Sequence, residues 1–121
     1  LAVDYSMNVF TSVMKGLNVY PDRMKKNMEI TRGLLFSQRI LLALIDKGMS
    51  RQSAYKIVQR SAMKTWQSNS KKFITLLKAD SEVMAVLSVK ELEALFDYNY
   101  YLRFVDDVFR RLGLTDKQWI E

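Results

Sequence analysis

The side chains that most often carry chemistry are largely missing from this 121-residue sequence, which holds no histidine and no cysteine. Without imidazole there is no ordinary near-neutral general base, no imidazole metal ligand and no switch titrating around neutral pH. Without a thiol there is no thiolate nucleophile or ligand and no disulfide. A serine nucleophile would need a partner base that neither residue type supplies. Lysine could act as a base if buried, yet no surrounding pattern marks any lysine as buried. Asp106-Asp107 forms a carboxylate pair in the sequence, but neighbouring helical positions point roughly 100° apart and do not share a site. The glycines (Gly16, Gly33, Gly48 and Gly113) are isolated, so they read as helix punctuation rather than a phosphate-cradling loop. Met7, Met14, Met28 and Met63 fall on apolar stripes and suit a core or subunit interface better than an adaptable groove. No catalytic, cofactor-binding or metal-ligating residue is assigned, and no cofactor is expected.

What remains is cationic. The net charge of +6 is uneven: residues 21–79 carry thirteen Lys/Arg against three acidic residues, whereas residues 80–121 carry five against nine. A basic stretch can meet an anionic ligand or nucleic acid, but here the cations are scattered round several helix faces, as on a solvated surface. One arrangement is more pointed. Leu41 to Lys64 has the outline of a helix-turn-helix, with Arg51, Gln52, Lys56 and Arg60 on the second helix where they could read bases and hold phosphates. A nucleic-acid-binding domain is therefore the alternative reading, set against the fact that any two antiparallel helices joined through Gly-x-Ser share this outline.

The elements that would position such residues are helical throughout. The 49% hydrophobic content, with four Gly and one Pro, fits a compact folded chain. No segment alternates with period two, so the expected fold class is all-α. The centre is Thr31 to Trp66. Leu34, Leu35, Ile40, Leu41, Leu44 and Ile45 form the stripe of a first helix, Leu34 to Lys47, closed by Gly48. Ser50 caps a second, Arg51 to Trp66, carrying Ala54, Tyr55, Ile57, Val58, Ala62, Met63 and Trp66. Before this pair, Val3, Met7, Phe10, Met14 and Leu17 step by four and three residues, the seam of a helix packed nearly parallel to others. No capping residue precedes it, so it reads as a helix cut in the middle. Pro21 starts a short helix that Gly33 ends or bends.

After the loop Gln67 to Ser70, Phe73, Leu76 and Leu77 mark a short helix ending near Lys78. Asp80 caps another, with Val83, Met84 and Leu87. Ser88 and Glu91 form a capping box for Val89 to Phe96. Asp97 caps a last long helix bearing Tyr101, Leu102, Val105, Val108, Phe109 and Leu112, closed by Gly113, and Thr115 with Gln118 starts a final turn. No apolar run reaches the roughly 20 residues needed to cross a bilayer, and no signal-peptide pattern is present. The cysteine-free composition agrees with a reducing compartment, so the cytoplasm is expected.

An ordered set of short motifs carries a family resemblance. Arg32-Gly33, Phe36-Ser37-Gln38-Arg39, Leu42-Ala43-Leu44, Lys47-Gly48-Met49-Ser50-Arg51, Ala54-Tyr55, Val58-Gln59-Arg60 and Ala62-Met63 occupy the centre. Asp4-Tyr5, Asn8, Val19-Tyr20-Pro21 and Met24-Lys25-Lys26-Asn27 precede them. Leu76 to Asp80, Phe96 to Tyr100 and Val105-Asp106 follow. Together they resemble the C-terminal part of the adenylosuccinate lyases, in the fumarase/aspartase superfamily. One departure is Tyr101, where the family pattern has a histidine; no chemistry is placed there.

The resemblance implies that residues 1–19 are the end of a long helix of the central bundle, and that residues 20–121 form a compact C-terminal multi-helix domain. It implies a parent enzyme that eliminates fumarate from adenylosuccinate and from a succinylated carboxamide ribotide in purine synthesis. That parent would be a homotetramer acting on purine nucleotides, with neither nucleic acid nor membrane as partner. It also implies that the catalytic serine lies on a mobile loop, and the catalytic histidines in domains, that this sequence does not contain. The segment alone is then structural and inactive.

Overall fold

The computed structural model describes residues 1–68 and 70–114. Of the described residues 71% are helical and none is in a strand, as the all-α expectation requires. The chain divides into two compact units, Leu1–Thr31 and Arg32–Glu121.

In the first unit, α1 runs Ala2–Lys15 and α2 Pro21–Glu29. Pro21 occupies the first turn of α2, where its missing N–H costs nothing and its fixed φ already suits a helix. No residue of either helix is buried. The seam of α1 is open, with Val3 76%, Met7 59%, Phe10 58%, Met14 49% and Leu17 59% exposed. Its polar side chains turn inward on their own helix. Ser6 donates to Ala2 O (2.9 Å), Asn8 to Asp4 O (3.1 Å), Thr11 to Met7 O (2.8 Å) and Ser12 to Asn8 O (3.0 Å).

The second unit is built on the expected pair. A 3₁₀ turn, Leu34–Phe36, leads into α3, Ser37–Asp46, and α4 follows as Arg51–Gln67. The expected helix Leu34 to Lys47 thus begins with a tighter turn, because Gly33 at φ +93° sets a left-handed start just before it. A side chain at Gly33 would also press a Cβ to 3.0 Å from Phe96 Cε1. The reversal between α3 and α4 is a Schellman motif: Met49 N–H donates to Leu44 O (3.1 Å) and Gly48 N–H to Ile45 O (2.9 Å), with Gly48 at φ +96°. Ser50 Oγ then accepts the Ser53 N–H at 3.1 Å and starts α4.

Four further helices complete the core and its lid: α5 (Phe73–Lys78), α6 (Ser81–Met84), α7 (Val89–Ala94) and α8 (Asn99–Leu102); α9 (Val105–Arg111) follows. Asp80 caps α6 by accepting from Glu82 N–H, and Ser88 with Glu91 forms the predicted capping box of α7. Ile40, Leu44, Ala54, Ile57, Val58, Phe73, Leu77, Val83, Leu87 and Leu92 make one buried cluster.

Three expectations need correction. On α4 the buried face is Ala54, Ile57, Val58, Ser61 and Thr65, while Tyr55, Met63 and Trp66 are 55%, 50% and 69% exposed. The helix is turned so that small residues meet the core, and Thr65 satisfies its own hydroxyl by donating to Ser61 O at 3.0 Å. Leu35 likewise stays exposed on the 3₁₀ turn, where Phe36 is the buried residue.

The last long helix is two helices. Asp97 Oδ1 accepts from Asn99 N–H at 2.9 Å, but Phe104, at φ −107° and ψ 3°, leaves the helical ladder between α8 and α9. The rings of Tyr98 and Tyr101 lie 5.0 and 6.0 Å from Phe36, and this aromatic packing holds α8 as a separate turn. Gly113 follows α9 at φ +70°. The capping pair Thr115 and Gln118 lies outside the described residues.

Leu44 is fully buried in the cluster that α3 and α4 share. Leu44→Ala is expected to cost roughly 2–5 kcal/mol in chemical or thermal unfolding. A loss below about half a kcal/mol would be a surface result and would contradict the packing.

Candidate functional site

The four residues that suggested base reading all lie on the exposed side of α4. Arg51, Gln52, Tyr55 and Lys56 border an open depression of about 380 Å³. Arg60 does not join them in chemistry. Its Nη2 is 2.7 Å from Asp80 Oδ2 and 2.8 Å from Glu82 Oε1, an acidic grip that occupies the guanidinium. Those two carboxylates raise Arg60 further above its ordinary pKa. Partial burial acts to raise Asp80, but hydrogen bonds from Arg60 and from the Glu82 and Val83 amides outweigh it and hold Asp80 below its usual range.

The aspartate pair behaves as helix surface. Asp107 Oδ1 pairs with Arg110 Nη1 at 2.8 Å one turn along α9, and Asp106 points elsewhere, exposed. Among the described residues no group of three acidic side chains converges as a metal site, and no helix is long and apolar enough to cross a membrane.

Two arrangements escape sequence reasoning because their parts lie far apart in the chain. The first is a shallow groove of about 330 Å³ between α3 and α7, lined by Ala43, Leu87, Ala94 and Leu95 with Asp46, Lys47 and Glu91 along it. Lys47 Nζ bonds Glu91 Oε1 at 2.6 Å across it. Glu91 also accepts from the Ser88 hydroxyl and amide, at 2.7 and 2.9 Å. The lysine bond first, and these two bonds after it, hold the Glu91 carboxyl down at about 2.

The second arrangement gathers Arg39 from α3 with Tyr100 and Arg103 from α8 and its end. Both guanidinium carbons lie 3.8 Å from the centroid of the Tyr100 ring. Nothing in the sequence pairs these residues; only the docking of α8 on the aromatic ring of Phe36 brings them together.

The described residues thus hold ion pairs, caps and cation–π contacts, but no nucleophile–base pair. Comparison with known proteins gives the family. A family model for the adenylosuccinate lyase C-terminus matches residues 33–112. The chain is similar to the adenylosuccinate lyase of Thermotoga maritima, 50% identical over 107 residues, covering 88% of this chain and 25% of that protein. It is similar to that of Bacillus subtilis, 45% identical over 115 residues (95% and 26%). It is similar also to that of Streptococcus mutans, 44% identical over 116 residues (96% and 27%). The chain spans about a quarter of the length of the curated relatives it matches.

The depressed Glu91 gives a signed pH prediction. Its carboxyl titrates at about 2 when folded against 4.5 ordinarily, so its contribution is complete above about 4.5 and is lost as pH falls towards 2. Thermal melts of wild type and Glu91→Gln should differ by a constant amount above that window and converge within it. A gap that stays constant down to the acid end would contradict the Lys47–Glu91–Ser88 arrangement.

Proposed function

This chain belongs to the adenylosuccinate lyase family, of which it is a C-terminal portion, and from that premise we propose that it is part of an enzyme eliminating fumarate from adenylosuccinate. The products would be AMP and fumarate; the same chemistry on succinylaminoimidazole carboxamide ribotide would give its carboxamide product, in purine biosynthesis. The reaction breaks a C–N bond while a base removes the proton from the adjacent carbon and an acid protonates the departing nitrogen. One observation carries the reading: identity of 44–50% extends across 88–96% of the chain.

The role of this segment in that enzyme is structural. A chain without histidine lacks the side chain that most often serves as general acid or base in such an elimination. Residues 20–121 build the terminal helical domain, and residues 1–19 extend a helix of the central bundle, in a cytoplasmic homotetramer that needs neither metal nor cofactor. The open seam of α1 supports the bundle role. Apolar stripes of that length are rarely left in water and normally meet a partner. The partner is the rest of the lyase chain together with identical subunits.

Two measurements test this. The 121-residue chain alone is expected to release no fumarate from adenylosuccinate above a protein-free blank, whereas the full-length enzyme does. Fumarate from the pure segment would overturn the structural role. In the full-length protein, Phe10→Asp should dissociate the tetramer in sedimentation while the melt of the downstream domain is kept, because a charge is placed in an interface built like a divided core. A tetramer of unchanged strength would remove α1 from the bundle.

A further inference from the structure

Two cations converge on one ring in the second unit. Arg39 is fixed there by backbone carbonyls: its Nη1 donates to Leu95 O at 2.8 Å and to Asp97 O at 3.3 Å, at the end of α7. That leaves Nη2 and Nε of its fork unused by these bonds. Its guanidinium carbon lies 3.8 Å from the Tyr100 centroid. Arg103 comes from the other side of the sequence, 3.8 Å from the same centroid and 4.8 Å from that of Phe104. The two guanidinium carbons therefore stand no further apart than twice 3.8 Å. Neither arginine forms an ion pair among the described residues, although Lys47, Arg60, Lys78 and Arg110 all do.

The scaffold under this pair is rigid. Tyr101 Oη donates to Leu35 O at 3.4 Å, and Tyr98 and Tyr101 pack on the buried ring of Phe36, so α8 cannot swing Tyr100 away without breaking the aromatic cluster. A π face attracts a cation but neutralises nothing. Two guanidinium groups so held repel each other, and a shared counter-anion relieves that repulsion. Tyr100 is 37% exposed, so solvent and solutes reach its edge. Planar forks matched to oxyanions select carboxylate or phosphate. A single carboxylate compensates one arginine, whereas a phosphoryl dianion compensates both.

We propose that Arg39, Tyr100 and Arg103 form a binding site for a phosphoryl dianion, either free phosphate or the terminal group of a phosphomonoester. The assignment stands on this geometry and does not rest on the lyase reading.

The test titrates the whole 121-residue chain, at constant ionic strength, with inorganic phosphate, AMP or fumarate while the Nε–Hε resonances of Arg39 and Arg103 are followed. Phosphate should shift both resonances along one saturating curve. AMP acting on the same two resonances identifies a phosphomonoester site, and AMP inactivity restricts it to free phosphate. Fumarate acting as strongly as phosphate would overturn the phosphoryl assignment, and a linear, unsaturating response would overturn the site.

Arg103→Gln should weaken phosphate binding about tenfold, the loss of one charge-assisted fork, and Arg103→Lys should fall between it and wild type. Unchanged affinity in Arg103→Gln would refute the proposal. Should that variant lose its fold, phosphate protection of Arg39 and Arg103 against phenylglyoxal in the wild type decides the matter. Protection confined to these two supports the site, and modification unaffected by phosphate rejects it.

Discussion

The Schellman turn at Gly48 is the constraint on which the second unit depends. It brings α4 back onto α3, so that Ile40 and Leu44 join Ala54, Ile57 and Val58 in one buried cluster. Three later helices add to this pair: α5 supplies Phe73 and Leu77, α6 supplies Val83, and α7 supplies Leu92. A residue with a Cβ at position 48 would have room, since nothing lies within 4 Å, but it would carry the strain of φ +96°. The limit is set by backbone torsion and not by crowding. At Gly33 both limits apply together, because the ring of Phe96 is already in contact.

The charge imbalance of the sequence acquires a spatial meaning. Basic residues of the middle reach acidic residues of the later part: Lys47 to Glu91, Arg60 to Asp80 and Glu82, Lys78 to Glu93. All four carboxylates lie on or beside the short helices α6 and α7, which have little apolar surface of their own. Exposed pairs of this kind add little to stability, because water screens them and ordering two long side chains costs entropy. Their effect is to orient short elements on a core whose stability comes from apolar burial.

Helix existence, caps and the central pair were legible from the sequence, because glycine after a stripe and serine before one are local signals with local causes. The capping box at Ser88 and Glu91 and the proline start of α2 are of the same kind. What was not legible depends on tertiary packing. Trp66 and Tyr55 read as core by hydrophobicity, yet the helix turns Ser61 and Thr65 inward. The break at Phe104 likewise follows from aromatic contacts with Phe36, far upstream. The convergence of Arg39 and Arg103 was not legible either, since a cation–π contact leaves no periodic trace.

Four polar side chains of α1, Ser6, Asn8, Thr11 and Ser12, each return a donor to a carbonyl four residues back on their own helix. This has a consequence for recognition. Those four ask little of a neighbour in directional bonding, so the register of the seam against another surface is chosen chiefly by the shapes of Val3, Met7, Phe10 and Met14. Steric fit tolerates a one-turn slip poorly when large and small side chains alternate, but well when the knobs are alike. In α1 the single phenyl ring among slimmer side chains is the feature that makes one alignment differ from the next, a notch on an otherwise smooth rail.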